Sequence, residues 1–324
     1  MREDDDPLFS GRGPLPEDLA RLERGLSKLP LPPEPDWDAK PGRGPRVSVL
    51  SWAAAVALLV FTAGLLFGRD TWRVETLAGS PSIGGVAFAG RIAMGGRVTT
   101  DPRSRARLEV KGLGVVELGP GSVLRRVRGR GVERKLALDH GTLTAFIQAP
   151  PRVFVVETPV GVATDLGCTY TLSIARDGHG RLAVTLGRVT FARDGLESFV
   201  PAGAWCPLSP KGDGVPRRDY ASDAFLAAMA TFDSAPGETP ALDRVLSTAE
   251  PSDAITLWHL LPRVSSDERA RVAARFAELI GEPAGVPREH VLALDPAALD
   301  AWWDQIGLGP AAEWRATSPK RELP

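Results

Sequence analysis

Cysteine and histidine are scarce in this chain. Its 324 residues hold 2 Cys and 4 His. Two Cys alone cannot build a structural zinc site, and His140, His179, His259 and His290 are scattered without ligand spacing. Gly-x-Ser-x-Gly, His-Glu-x-x-His and supported carboxylate pairs are all missing. The glycine-rich stretch 112–122 is not a phosphate loop, because no helix pattern follows it and no Lys-Ser or Lys-Thr closes it. A non-enzyme without cofactor or metal is therefore expected.

An excess of either charge is also missing, since the net charge is −1. That balance hides a segregation. Residues 72–206 carry 18 Lys and Arg against 11 Asp and Glu, and residues 207–324 carry 12 against 18. The basic segment could dock on the acidic one or face an anionic polymer or lipid surface, or both could be solvated faces.

What the chain does have is an uncharged, mostly apolar run of 21 residues, Val47 to Phe67. As a helix it would rise roughly 31 Å, about the thickness of a bilayer's hydrocarbon core. Arg46 and Arg69 bracket it, and Trp52 and Trp72 lie near its ends, where interfacial aromatics sit. A buried helix of a soluble domain would carry more polar residues on one face, and a cleaved signal peptide would start nearer the N-terminus and be shorter. The run reads as a transmembrane signal-anchor. Lys40, Arg43 and Arg46 before it, against Arg69 and Arg73 after it, slightly favour the tail on the inner side.

In the tail, residues 1–46, Leu15-Pro16-Glu17-Asp18 opens a short amphipathic helix. Leu15, Leu19, Leu22, Leu26 and Leu29 form its apolar stripe, and Pro30, Pro32, Pro33 and Pro35 end it. Such a helix is too short to be stable alone. Leu19, Leu22 and Leu26 are therefore the candidate partner-helix contact, the alternative being a frayed segment. Residues 30–46 read as a Pro- and Gly-rich linker.

After the run the pattern turns to short β-branched segments cut by glycine, such as 106–112, 134–141 and 169–180. Asp177-Gly178 between two of them is a hairpin signal. An all-β unit over 72–206, solenoid-like or sandwich, is expected. Five segments of helical periodicity follow, making a small helical bundle over 222–310. Ser252 and Ser266 sit at N-cap positions, Asp295-Pro296 makes a cap and first turn, and Gly281 and Gly307 make stops. Trp258, Trp302 and Trp303 read as core packing rather than a ligand site. Residues 311–324 are expected to be loose.

The β-unit resembles the FecR domain of bacterial membrane-anchored envelope signalling proteins. The resemblance runs through seven segments in order: Gly95–Thr100, Ser104–Val110, Gly114–Leu124, Leu136–Ile147, Val153–Leu172, Leu182–Phe191 and Phe199–Cys206. It implies a β-domain in the periplasm, an inner-membrane protein with its N-terminus in the cytoplasm, and regulation of a cytoplasmic sigma factor. The chain departs from the family in three places. Its tail holds one short helix where signalling members carry a multi-helix anti-sigma domain. Its C-terminus is helical where theirs is a small α/β module. Gly167-Cys168-Thr169 stands where the family motif has Gly-Thr.

If the β-unit is periplasmic, a Cys168–Cys206 disulfide is allowed, the alternative being two buried thiols. The bridge would contribute roughly 4 kcal/mol on the chain-entropy model. Arg125, Arg126, Arg128 and Arg130, with Arg134 and Lys135, form the densest positive stretch. It reads as a patch for anionic glycan or lipid headgroups, or as an unliganded charged loop. Nucleic acid is not expected, since interleaved aromatics are missing. Two functions stay open: envelope signal transduction or sigma-factor regulation through the tail, or a non-signalling envelope binding or scaffold protein that contacts a periplasmic protein or glycan.

Overall fold

The computed structural model describes residues 71–87, 90–212, 214–234 and 239–315. Among the described residues, strands come first and helices second. One β-layer runs, edge to edge, β4 (Arg91–Ile92), β1 (Trp72–Ala78), β6 (Arg105–Val110), β7 (Gly114–Leu118), the second half of β9 (Arg134–Ile147), β12 (Thr169–Ile174), β13 (Gly180–Leu186), β16 (Ala204–Leu208) and β17 (Arg217–Arg218). The other runs β3 (Val86–Ala87), β2 (Ser82–Ile83), β5 (Arg97–Thr99), β8 (Val123–Arg128), the first half of β9, β10 (Phe154–Thr158), β11 (Gly161–Asp165), β14 (Arg188–Arg193) and β15 (Leu196–Pro201). All neighbours are antiparallel except β9 and β10.

Single strands or strand pairs alternate between the layers along the chain, so the domain is a sandwich wound hairpin by hairpin. Period-2 patterning drives it. In β6, Ala106, Leu108 and Val110 point inward while Arg105, Arg107 and Glu109 do not. The expected hairpin at Asp177-Gly178 forms between β12 and β13, where Asp177 Oδ1 accepts from His179 N at 3.0 Å.

β9 belongs to both layers. Up to His140 it pairs with β8, and from Gly141 onward it pairs with β12. Gly141 sits at the crossing with φ 105°, against Ser122, whose Oγ accepts from Thr142 N at 2.9 Å and donates to Gly119 O at 2.8 Å.

The helices among the described residues are α1 (Asp223–Ser234), α2 (Thr239–Thr248), α3 (Ala254–Leu260), α4 (Ser266–Ile280), α5 (Arg288–Leu292), α6 (Pro296–Asp304) and α7 (Ala311–Arg315). Ser265, not Ser266, caps α4 in a capping box with Glu268, and Asp295 caps α6 by accepting from Ala298 N at 3.0 Å. α7 buries Ala311 and Trp314, so residues 311–315 belong to the helical unit. Trp258, Trp302 and Trp303 are core residues, and Trp303 packs edge-on against Phe199 at 5.0 Å between centroids. β15 serves both cores: Val200 faces the sandwich interior, and Phe199 joins the helical core.

The single-pass membrane architecture expected from sequence is corrected here. Residues 47–67 lie outside the described residues, and among the described ones no helix is long and apolar enough to cross a membrane. The longest, α4, has 15 residues and rises only about 22 Å, against a hydrocarbon core of about 30 Å. The supported fold class is a β-rich domain followed by helices. The localisation built on the span, an inner-membrane protein with periplasmic C-terminal domains, is withdrawn with it. Trp72, read as an interfacial aromatic, is a core residue of β1 at 1% exposure. The stripe Leu19, Leu22 and Leu26 also lies outside the described residues.

Candidate functional site

An open notch of ≈ 500 Å³ lies at one end of the first layer, lined by Phe146, Ile147, Ala149, Gly167, Cys168 and Leu186 among others. Cross-strand register sets Val115, Phe146, Thr169 and Leu186 side by side on β7, β9, β12 and β13. Phe146 and Leu186 are exposed at 40% and 67%, so the rim is apolar.

Beneath the rim lie three buried titratable groups. Cys168 Sγ donates to Asp165 Oδ2, and Asp165 Oδ1 accepts from Gly167 N at 2.6 Å. Burial raises the Asp165 carboxyl to about 6, against the pull of these donors. Burial first and the Asp165 charge second push the Cys168 thiol far above its ordinary range. Burial likewise raises Tyr170. A thiol held this strongly protonated is a poor nucleophile. The arrangement ties the β11–β12 corner together and does not activate sulfur.

The expected Cys168–Cys206 disulfide is absent: both residues are free, buried thiols. Register explains why. Cys206 pairs with Leu182, and Leu182 with Leu172. Cys168 lies four residues from Leu172, about 13 Å along the strand direction and two strands over. A disulfide needs Cα atoms within about 7 Å. Burial first also raises the Cys206 thiol, to about 12.

Cys168 falls in the Gly167-Cys168-Thr169 stretch that departs from the motif noted above. A hydroxyl is a stronger donor to a carboxylate than a thiol. Cys168→Thr should therefore stabilise the protein by about 1 kcal/mol in urea unfolding at pH 7. It should also draw the Asp165 carboxyl back toward its ordinary range. A variant less stable than the parent would refute the assignment.

The expected arginine patch is split by the strand period. Arg126 points inward at 1% exposure, with its guanidinium carbon 4.3 Å from the Trp72 ring centroid and Nη1 donating to Ile92 O at 3.3 Å. Arg125 points outward and forks onto Asp139 at 2.8 and 3.0 Å. Arg128 and Arg130 are exposed near the β8–β9 turn. Only this outer part of the patch is available to a ligand.

One polar site escaped the sequence reading. His259 on α3 is fully buried against β15. Phe199 N donates to His259 Nε2 at 3.0 Å, so Nδ1 carries the proton and donates to Ile255 O at 2.8 Å. β15 pairs only with β14 among the described strands, so His259 caps an edge N–H of the sandwich. Arg263 adds bonds from its Nη2 to Ser198 Oγ at 2.9 Å and from its Nη1 to His259 O at 2.7 Å. Nothing in the sequence around 259 marks this role.

No curated protein matches the chain. Two crystal structures, at 1.65 and 2.50 Å resolution, of a protein from Parabacteroides distasonis ATCC 8503, described only provisionally as an anti-sigma factor, are similar at 13% identity. Each covers 41% of this chain, with TM-scores of 0.33 and 0.34. The chain spans 64% and 63% of their length, and likeness at this level carries no argument about its role. The family described as FecR protein matches residues 96–190, a segment that runs from just before β5 into β14 and takes in strands of both layers, the Gly141 crossing and the Asp165–Cys168 corner. Residues 96–190 are a FecR domain.

Proposed function

We propose that this chain is a regulatory protein of signal transduction that controls a sigma factor, or a protein of similar role, by direct contact and without catalysis. The FecR domain over residues 96–190 is the observation that carries this reading. The masked thiol at the notch and the tryptophans used as core support a binding role over a catalytic one. The contact is assigned to the leucine stripe of the tail, Leu19, Leu22 and Leu26. A stripe this short gains little unless a partner buries it. Burying one Leu contributes roughly 1.5–3 kcal/mol, so three support a micromolar contact after ordering costs.

The test is a two-hybrid screen of the full chain against the sigma factors of its own organism, paired with transcript profiling of a deletion strain. One sigma factor should score, its transcripts should shift on deletion, and the double variant Leu22→Asp and Leu26→Asp should abolish both effects. If no sigma factor scores and the profile does not change, the reading fails. If the double variant behaves as the parent, the contact lies elsewhere.

A further inference from the structure

Three places in the sandwich set two arginines directly opposite each other on neighbouring antiparallel strands: Arg73 with Arg91, Arg97 with Arg125, and Arg128 with Arg134. Directly opposed like charges cost stability. Two of the three pairs are offset internally. Arg73 Nε lies 3.2 Å from Glu75, and Arg91 Nε donates to Thr71 Oγ1 at 2.7 Å. Arg125 forks onto Asp139.

The third pair has no such relief. Among the described residues, no carboxylate makes an ion pair with Arg128, Arg130 or Arg134. The nearest acid in sequence, Glu133, spends its carboxylate on the backbone N–H of Arg130 at 3.0 Å. Arg134 Nη1 donates only to Val132 O, at 3.2 Å. Val132, at the turn itself, is 74% exposed. The β8–β9 hairpin end thus carries three arginines and one exposed apolar side chain.

We propose that this hairpin end docks an acidic amphipathic helix of a protein partner. Directly opposed residues on antiparallel strands have Cα atoms about 4.5–5.5 Å apart. Acids one turn apart on a helix are separated by about 5–6 Å. The Arg128 and Arg134 forks therefore match two carboxylates at i and i+4, each able to take a paired hydrogen bond. Arg130 reaches a third acid, and Val132 meets the apolar residue between them. β10 covers β9 from Arg134 onward and β5 covers β8 as far as Arg125, so along these paired stretches recognition is by side chains and not by strand addition. The inference rests on reading the chain as a protein-binding regulator.

The test uses the full chain and a fluorescein-labelled synthetic helix with glutamates at i and i+4 flanking a leucine, followed by anisotropy at moderate salt. The parent should bind it and should not bind the same helix with lysines for glutamates. The triple variant Arg128→Ser, Arg130→Ser and Arg134→Ser should weaken binding about tenfold, the sum expected of three exposed ion pairs. Its thermal midpoint should be equal to the parent's or slightly higher, because a like-charge pair is gone. Arg103→Ser, an exposed charge elsewhere on the domain, should leave binding unchanged. The single variant Arg128→Glu guards against a triple variant that folds poorly, and should also weaken binding. Equal binding by parent and triple variant overturns the proposal. So does displacement of the peptide from the hairpin by phosphatidylglycerol vesicles or a DNA duplex of higher affinity, which would mean the partner class is wrong. A parent that binds the peptide, in a strain whose sigma-dependent transcripts ignore the gene, sinks the regulatory reading and leaves this one standing.

Discussion

Replacing Gly141 with alanine should cost roughly 3–5 kcal/mol of folding stability, enough to leave a marginal domain largely unfolded at 37 °C. Two independent terms add. The residue has φ 105°, which an L side chain rarely adopts, and such strain costs of order 1–3 kcal/mol. A Cβ built there would also lie 2.1 Å from Ser122 Oγ and 2.4 Å from Ser122 Cα. The second atom is backbone, so rotating the serine side chain gives no escape, and overpacking of this kind costs roughly 1–3 kcal/mol more. Gly121 supplies the control. It has φ 64° and nothing within 4 Å of its would-be Cβ, so Gly121→Ala should cost only about 1 kcal/mol. Ser122→Ala should not rescue Gly141→Ala, because the Cα clash remains. Urea unfolding of the four proteins decides it. Equal losses at 121 and 141 would mean that the crossing of β9 between layers tolerates a side chain.

That crossing shows where reading by pattern stops. The segments 134–141 and 142–147 each look like a strand in the sequence, with Gly141 as punctuation between them. They are one strand of 14 residues that changes layer at the glycine. Alternation tells which residues share a face, but not which sheet receives the face, since that depends on partners far away in sequence. The same limit explains the cysteines. Both point into the sandwich core, as their neighbours' pattern allows, yet only the register of β12, β13 and β16 shows that they are too far apart to join.

Arg126 is different, because its placement was legible. Leu124, Arg126 and Arg128 share one face of a strand and Arg125 the other, so treating Arg125, Arg126, Arg128 and Arg130 as one patch ignored the period of two. What the sequence did not contain was the reason the core accepts a guanidinium there: the Trp72 ring it stacks on and the Ile92 carbonyl it satisfies. The helices were easier. Their periodicity, the Asp295-Pro296 start and the Gly281 stop are local signals that hold, whereas the α4 cap shifts by one residue. Ser252 lies inside a turn, and Asp253 stands at the N-cap of α3. α6 ends at Asp304, before Gly307, and the short helices α5 and α7 lie outside the five segments read from the pattern.

Acid should strip stability from the junction of sandwich and helices through His259. Burial first, and the Arg263 charge second, depress this imidazole from 6.5 to about 3. The folded state needs the neutral ring, because Nε2 must accept from Phe199 N while Nδ1 donates to Ile255 O. Below about pH 6.5 the unfolded chain takes up a proton that the folded chain refuses. Stability from this group is therefore complete above 6.5 and falls by about 1.4 kcal/mol per pH unit down to about 3. Asp165 opposes it. Its folded carboxyl titrates near 6 instead of 3.8, so the folded state holds the extra proton between those values and gains stability as pH drops through that window. The two effects nearly cancel in the parent between about pH 6 and 4, and single variants separate them. His259→Gln keeps an acceptor and a donor without a titration, so its stability should rise relative to the parent's as pH falls from 7 to 5. Asp165→Asn removes the compensation and should lose stability steeply over the same range. At pH 7, His259→Ala leaves the Phe199 N–H buried and unpaired beside a cavity, and should cost about 2–4 kcal/mol. Urea midpoints measured from pH 7.5 to 4.5 test all four proteins. Parallel curves for parent and His259→Gln would show that the imidazole reaches water in the folded state, and the edge of β15 would then need another cap.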